Sequence, residues 1–149
     1  YMRDYLRCIK SIDDEVGRLI DYLEKEGLMD NTIIVYTSDQ GFYMGEHGWF
    51  DKRFMYEESF RTPLIIRYPK AVKAGTKTDA LVQNIDFAPT YLSLAGIKKP
   101  AEMSGVSLEA LFSGKTPEHW RKDLYYHYYD YPAIHNVRRH DGIRTDNPE

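Results

Sequence analysis

Asp39 and Gln40 stand side by side after a short β-branched run, in Thr37-Ser38-Asp39-Gln40-Gly41. A carboxylate and an amide carbonyl in that position can both offer oxygen to a hard cation such as Ca²⁺ or Mg²⁺. Gly41 would let the backbone turn sharply beside them. Two ligands fall short of the roughly 6 to 8 oxygens that Ca²⁺ takes, and Asp-Gln-Gly is also an ordinary turn sequence. Lys52 follows, flanked by Asp51 and Arg53. A loop lysine can neutralise a sulfate or phosphate oxygen, and an arginine can grip one bidentately. The alternative is a solvated charged loop. His47, in Gly45-Glu46-His47-Gly48, can donate a proton or a hydrogen bond to an anion, or do neither. A last cluster, His135-Asn136-Val137-Arg138-Arg139-His140, gathers cationic side chains behind a run of tyrosines. It suits an anionic or sugar ligand, or a basic surface. Cys8 has no acid–base partner near it in sequence and reads as structural.

These residues need elements to hold them. Tyr5, Ile9, Ile12, Val16, Leu19, Ile20 and Leu23 recur at spacings of three and four, which predicts a helix over residues 1–26 with Gly27 at its C-terminal end. Thr32 to Thr37 reads as a buried parallel strand, and Leu64 to Tyr68 as a second strand. The long polar segment between them, 38–63, is the kind of connection that carries function. Ala80-Leu81-Val82 reads as a short extended piece. Asp86 is positioned to cap a helix running to Ala95, and Ser107 to Phe112 reads as one or two helical turns. Leu124 to Tyr131 and Gly142 to Thr145 read as strands, with a turn at Asp146-Asn147-Pro148. The alternation of helix and strand makes the fold class α/β, with the Asp39-Gln40 loop at the carboxyl end of its first strand, where such folds place ligands.

Composition narrows the function classes. A net charge of −3 gives no global pull toward nucleic acid or an anionic membrane. No apolar run approaches the roughly 20 residues of a membrane span. One cysteine excludes an internal disulfide. There are thirteen tyrosines; those from Tyr125 to Tyr131 suit a polar ligand or the wet face of a strand.

The order of the motifs is more specific than any one of them. Ile12-Asp13-Asp14-Glu15-Val16-Gly17 precedes Gly27-Leu28-Met29-Asp30-Asn31-Thr32. Thr37-Ser38-Asp39-Gln40-Gly41, Gly45-Glu46-His47-Gly48, Lys52 with Tyr56-Glu57, and Arg61-Thr62-Pro63-Leu64 come next. Asp86-Phe87-Ala88-Pro89-Thr90, Leu94-Ala95-Gly96-Ile97 and Ser104-Gly105-Val106-Ser107-Leu108 complete the series. The series resembles the type I sulfatases of the alkaline phosphatase superfamily across most of residues 5–112. Residues 125–145 look like the tail of bacterial glycosaminoglycan sulfatases similar to N-acetylglucosamine-6-sulfatase.

The resemblance implies a sulfuric ester hydrolase acting on a sulfated sugar or glycan. It implies one Ca²⁺, held by two acidic residues from an N-terminal part together with Asp39 and Gln40. Lys52 matches the family's sulfate-binding lysine, with His47 beside it in the catalytic set. The family nucleophile is a formylglycine made from a Cys or Ser in a Cys/Ser-x-Pro-x-Arg motif. That motif does not occur in these 149 residues, and Cys8 does not fit it. The chain is therefore expected to be a C-terminal fragment, inactive alone, that packs against an N-terminal part of the same protein. Residues 1–115 would belong to the sulfatase α/β domain, and 116–149 would begin a small antiparallel subdomain. Asp51, Arg53, Arg139 and His140 are the expected substrate contacts. Export to the periplasm, surface or exterior of a bacterium goes with the resemblance. Two rival readings are a phosphatase or phosphonate hydrolase of the same superfamily and a non-catalytic module that binds anionic glycans. A structural domain without a site is a third.

Overall fold

A computed structural model describes residues 1–146. The expected turn at Asp146-Asn147-Pro148 falls partly outside the described residues.

The first apolar stripe winds into helix α1, Met2–Lys25. Its C-terminus is a Schellman arrangement: Leu28 N–H donates to Leu23 O at 2.9 Å and Gly27 N–H to Glu24 O at 3.0 Å. Gly27 sits at φ 66°, a backbone angle that only glycine adopts without strain. Of the stripe, only Leu23 is buried, while Ile9, Ile12 and Leu19 are 41–53% exposed.

Strand β1, Ile34–Thr37, pairs with β2, Leu64–Arg67, in register Ile34↔Arg67 to Thr37↔Leu64. The pairing is antiparallel, which corrects the reading of a buried parallel strand. The reason lies in the connection. Parallel neighbours need a crossover, usually a full helix. Here the intervening chain carries only a 3-10 turn at Glu46–Gly48 and a one-turn helix α2, Glu57–Phe60, and returns to the end of β1 that it left. Neither strand is fully buried.

Helix α3, Phe87–Leu94, follows a 3-10 turn at Asn84–Asp86. The expected extended piece at Ala80–Val82 forms no strand. The predicted turns near Ser107 are a 3-10 helix, Leu108–Leu111, whose N-cap Ser107 accepts from Glu109 N–H. The core gathers here: Leu108, Leu111 and Phe112 are buried against Leu64, Ile66, Val82, Phe87 and Trp120.

Strand β3, Asp123–Tyr128, pairs antiparallel with β4, His140–Thr145. β3 ends three residues before the expected Tyr131, and β4 starts two residues before Gly142. Alternation along β3 turns Tyr126 and Tyr128 to one face of this ribbon and Tyr125 and His127 to the other. The inner face meets the 38–63 segment, where Tyr126 OH donates to Arg53 O at 3.0 Å and Arg144 Nε to Glu57 Oε1 at 2.8 Å.

Candidate functional site

The site is organised by the excursion between β1 and β2, which has a small core of its own. Tyr43 is fully buried. Its N–H donates to Asp51 O at 2.7 Å, its hydroxyl donates to Phe54 O, and its ring meets His47 and Tyr56 edge-on. Burial, ahead of its hydrogen bonds, holds the Tyr43 phenol above its ordinary pKa. This anchoring explains how so long a polar segment keeps one shape.

Gln40 is fixed through its amide nitrogen. Nε2 donates to Ser59 Oγ at 2.7 Å and Ser59 O at 3.0 Å, and lies 3.3 Å from Lys52 O. With the nitrogen occupied on the protein side, Oε1 is left as the free acceptor, the atom that a hard cation would need. Asp39 is exposed. Its backbone carbonyl accepts from Asn84 Nδ2 at 2.8 Å, and its carboxylate has no hydrogen bond or ion pair among the described residues. The donor set thus fits part of a Ca²⁺ shell. Among the described residues, no three His, Cys, Asp or Glu side chains converge as a metal group.

Gly41 has a role other than the sharp turn expected of it. Its N–H donates to Ser59 O at 2.9 Å, and a Cβ at this position would lie 1.9 Å from Glu58 O. Glycine is required by close approach: the metal-type loop lies directly on the backbone of α2.

Lys52 is exposed, while its carbonyl is held from inside by Ser59 Oγ, 2.5 Å away. His47 occupies a left-handed conformation, φ 55°, uncommon for a residue with a Cβ. Its ring stacks on Tyr56 at 3.8 Å, and Nε2 lies 3.2 Å from Glu58 Oε2. A backbone N–H first and His47 second lower the Glu58 carboxyl below the usual range.

Asp51 and Arg53 form an ion pair, and Arg53 Nη2 lies 2.9 Å from His135 Nε2. His140 stacks on Phe54 at 5.7 Å and on Tyr128 at 5.3 Å. Its Nδ1 faces Arg138 O at 2.8 Å, and its buried Nε2 has no hydrogen-bond partner among the described residues. The structure therefore gathers Asp51, Arg53, His135 and His140 where the loop meets the ribbon. Arg139 is not part of that gathering. It is exposed, and its charge acts on Tyr125 and Asp141 on the outer face.

Two supports escaped sequence reading. Ser59 and Tyr43 have no motif; their role is set by burial and by partners distant in sequence. A third was misread. Asp86 does not cap α3 with its side chain. It is fully buried and accepts both Arg121 nitrogens, with Nη2 at 2.8 Å from Oδ1. Its two oxygens also take Gln83 N–H at 2.8 Å and Val106 N–H at 3.0 Å. A separate groove of about 840 Å³ runs beside β2, and none of the predicted site residues borders it.

The family profile described as N-sulphoglucosamine sulphohydrolase, C-terminal, matches residues 45–148, more than half of the chain. An N-acetylglucosamine-6-O-sulfatase of Bacteroides thetaiotaomicron is 63% identical over 147 residues, which cover 97% of this chain and 26% of that protein. Among solved structures, a protein in complex with its substrate D-glucosamine-2-N,6-O-disulfate superposes with a TM-score of 0.94 at 62% identity, over 98% of this chain and 30% of that one. A phosphonate monoester hydrolase from Silicibacter pomeroyi superposes with a TM-score of 0.72 at 35% identity, over 78% of this chain and 23% of that one. The chain thus spans between a quarter and a third of the length of the sulfatase relative and the sugar-sulfate complex.

Proposed function

The chain belongs to the N-sulphoglucosamine sulphohydrolase C-terminal family, and from that premise we propose that it is the C-terminal portion of a sulfatase that removes sulfate from a glycosaminoglycan-type sugar. The observation that carries the proposal is the joint fixing of Gln40 and Lys52: the Gln40 amide nitrogen and the Lys52 backbone carbonyl share one hydrogen-bond knot on Ser59. The resemblance to a complex with a sulfated glucosamine supports the sugar class.

In this reading Asp39 and Gln40 hold Ca²⁺ together with carboxylates from outside this chain. The bound ion would supply positive charge beside the sulfate oxygens. Lys52 sets its ammonium against the ester oxygen, where negative charge grows as the S–O bond breaks. His47, oriented by Glu58 and Tyr56, offers a ring N–H to the same anion. Asp51 and Arg53 take sugar hydroxyls or a second anionic group, with His140 behind them and Arg139 at the outer edge. The formylglycine nucleophile belongs to residues outside this chain. The exposed stripe of α1 is the surface that packs against the N-terminal part. The parent would work in the periplasm, at the surface or outside a bacterial cell, where glycan chains are met.

The phosphonate hydrolase likeness keeps one rival in view. Assaying the full-length parent on N-acetylglucosamine 6-sulfate, a small aryl sulfate and the matching phosphonate ester decides between them. The expected outcome is preference for both sulfates and a drop in kcat of about 10²- to 10³-fold in Lys52→Ala. Preference for the phosphonate overturns the sulfatase reading.

A further inference from the structure

We propose that Ser59 is a positioning residue that sets the metal-type loop and the sulfate-binding lysine relative to each other; this rests on the sulfatase reading above. Ser59 is 1% exposed. A hydroxyl has one proton and two lone pairs; here the proton and one lone pair have named partners. Oγ donates to Lys52 O at 2.5 Å and accepts from Gln40 Nε2 at 2.7 Å. The Ser59 carbonyl accepts from Gln40 Nε2 at 3.0 Å and from Gly41 N–H at 2.9 Å. One buried residue thus bonds the Gln40 side chain, the loop backbone at Gly41 and the carbonyl of Lys52.

Two consequences follow. For Gln40, the amide nitrogen is drawn inward, so its oxygen is presented outward without a search among rotamers. For Lys52, the side chain is long and exposed, and its starting point is the only part that the fold can fix. The hydroxyl supplies that fixed point. Because the site is buried, no bulk water takes over the two bonds when the hydroxyl is removed. Supporting contacts of this kind around metal ligands are commonly worth about 10- to 100-fold in affinity or activity.

The test uses the full-length parent, stripped of metal and titrated with CaCl₂, then assayed on a small aryl sulfate at saturating Ca²⁺. Ser59→Ala is expected to raise the Kd for Ca²⁺ by about 10- to 100-fold. It is also expected to lower kcat at saturating Ca²⁺ by about 10-fold with little change in KM, because Lys52 is displaced from the charge it meets in the transition state. Ser59→Thr, which keeps the hydroxyl, is expected to recover both. The melting midpoint of the metal-free protein is followed alongside. A Ser59→Ala protein that melts earlier while Kd and kcat stay at wild-type values overturns the role. Equal losses in Ser59→Ala and Ser59→Thr also overturn it, since packing rather than the hydroxyl would then matter. A wild-type parent that neither binds Ca²⁺ nor cleaves the sulfate overturns the sulfatase reading and this role with it. A competent wild type, an impaired Gln40→Ala and a normal Ser59→Ala remove the Ser59 role alone.

Discussion

Arg53 is the residue through which the site loop reaches the tail ribbon. Its guanidinium pairs with Asp51 and lies against His135, and its carbonyl accepts from Tyr126 OH. An arginine anchored on one side by a carboxylate keeps its remaining N–H groups in a fixed fork, ready for a planar or anionic acceptor. His140 stands behind it, wedged between Phe54 and Tyr128, and its Nε2 has no hydrogen-bond partner among the described residues. If the pair recognises the sugar, Arg53→Ala and His140→Ala in the full-length parent lower kcat/KM for the sugar sulfate by about 10- to 100-fold. Turnover of a small aryl sulfate, which lacks the sugar ring, stays within about threefold in both variants. Equal losses on the two substrates would remove the recognition role. Arg139 was expected in the same group; its placement beside Asp141 predicts a smaller effect for Arg139→Ala.

At the scale of elements, the Asp86–Arg121 pair holds α3, the 3-10 helix at Leu108–Leu111 and the approach to β3 in one arrangement. Burial alone would raise the Asp86 carboxyl. The Arg121 guanidinium, with the N–H groups of Val106 and Gln83, outweighs burial and holds it below the ordinary value. A carboxyl lowered on folding contributes its full stability above the unfolded pKa of about 3.9 and loses it as pH falls through the folded value. Asp86 therefore adds a constant amount between pH 5 and pH 8 and fails only in acid. Arg121→Ala leaves the buried carboxylate with two N–H donors and no opposite charge. The expected cost is about 3–5 kcal/mol at pH 7. Burial, then opposed only by those two N–H groups, shifts the carboxyl upward relative to the wild type, so the deficit narrows as pH falls toward 4. Urea denaturation of both proteins across that range checks the sign; a deficit that widens in acid would contradict it. The pair was hidden in sequence because Asp86 also fits a helix cap, and nothing local marks a partner 35 residues away.

At the scale of the molecule, α1 is the element with the most unspent apolar surface. Tyr5, Ile9, Ile12, Leu19 and Tyr22 lie on or beside its stripe and are 40% exposed or more. About 24 residues at 1.5 Å each give a rod of roughly 36 Å, long enough to serve as one wall of a larger layer. If that wall is covered in the parent, Ile9→Asp there costs about 2–4 kcal/mol through lost burial and a desolvated carboxylate. The same change in the isolated 149-residue chain costs little, because the site is already wet. Chemical denaturation of both proteins makes the comparison, and equal effects would refute the covering. The isolated chain is also expected to turn over no aryl sulfate, since in the proposed function the nucleophile and the remaining metal ligands belong to the rest of the parent. Clear turnover by it would overturn the division of the site.

The sequence by itself determined what is local. The period of α1, the glycine after its end, the Asp39-Gln40 pair at a strand end and the order of the motifs all depend on neighbours in the chain. Sequence also supplied the family resemblance that the profile match later bore out. Tertiary structure decided what depends on return paths and burial. The strand pairing is antiparallel because the connection doubles back on itself. Gly41 is glycine because α2 comes to lie under it, and Asp86 is a buried anion because Arg121 folds over it. Lys52, readable as a charge from its type alone, gains a fixed starting point from Ser59, which reaches it only once the segment between β1 and β2 has closed.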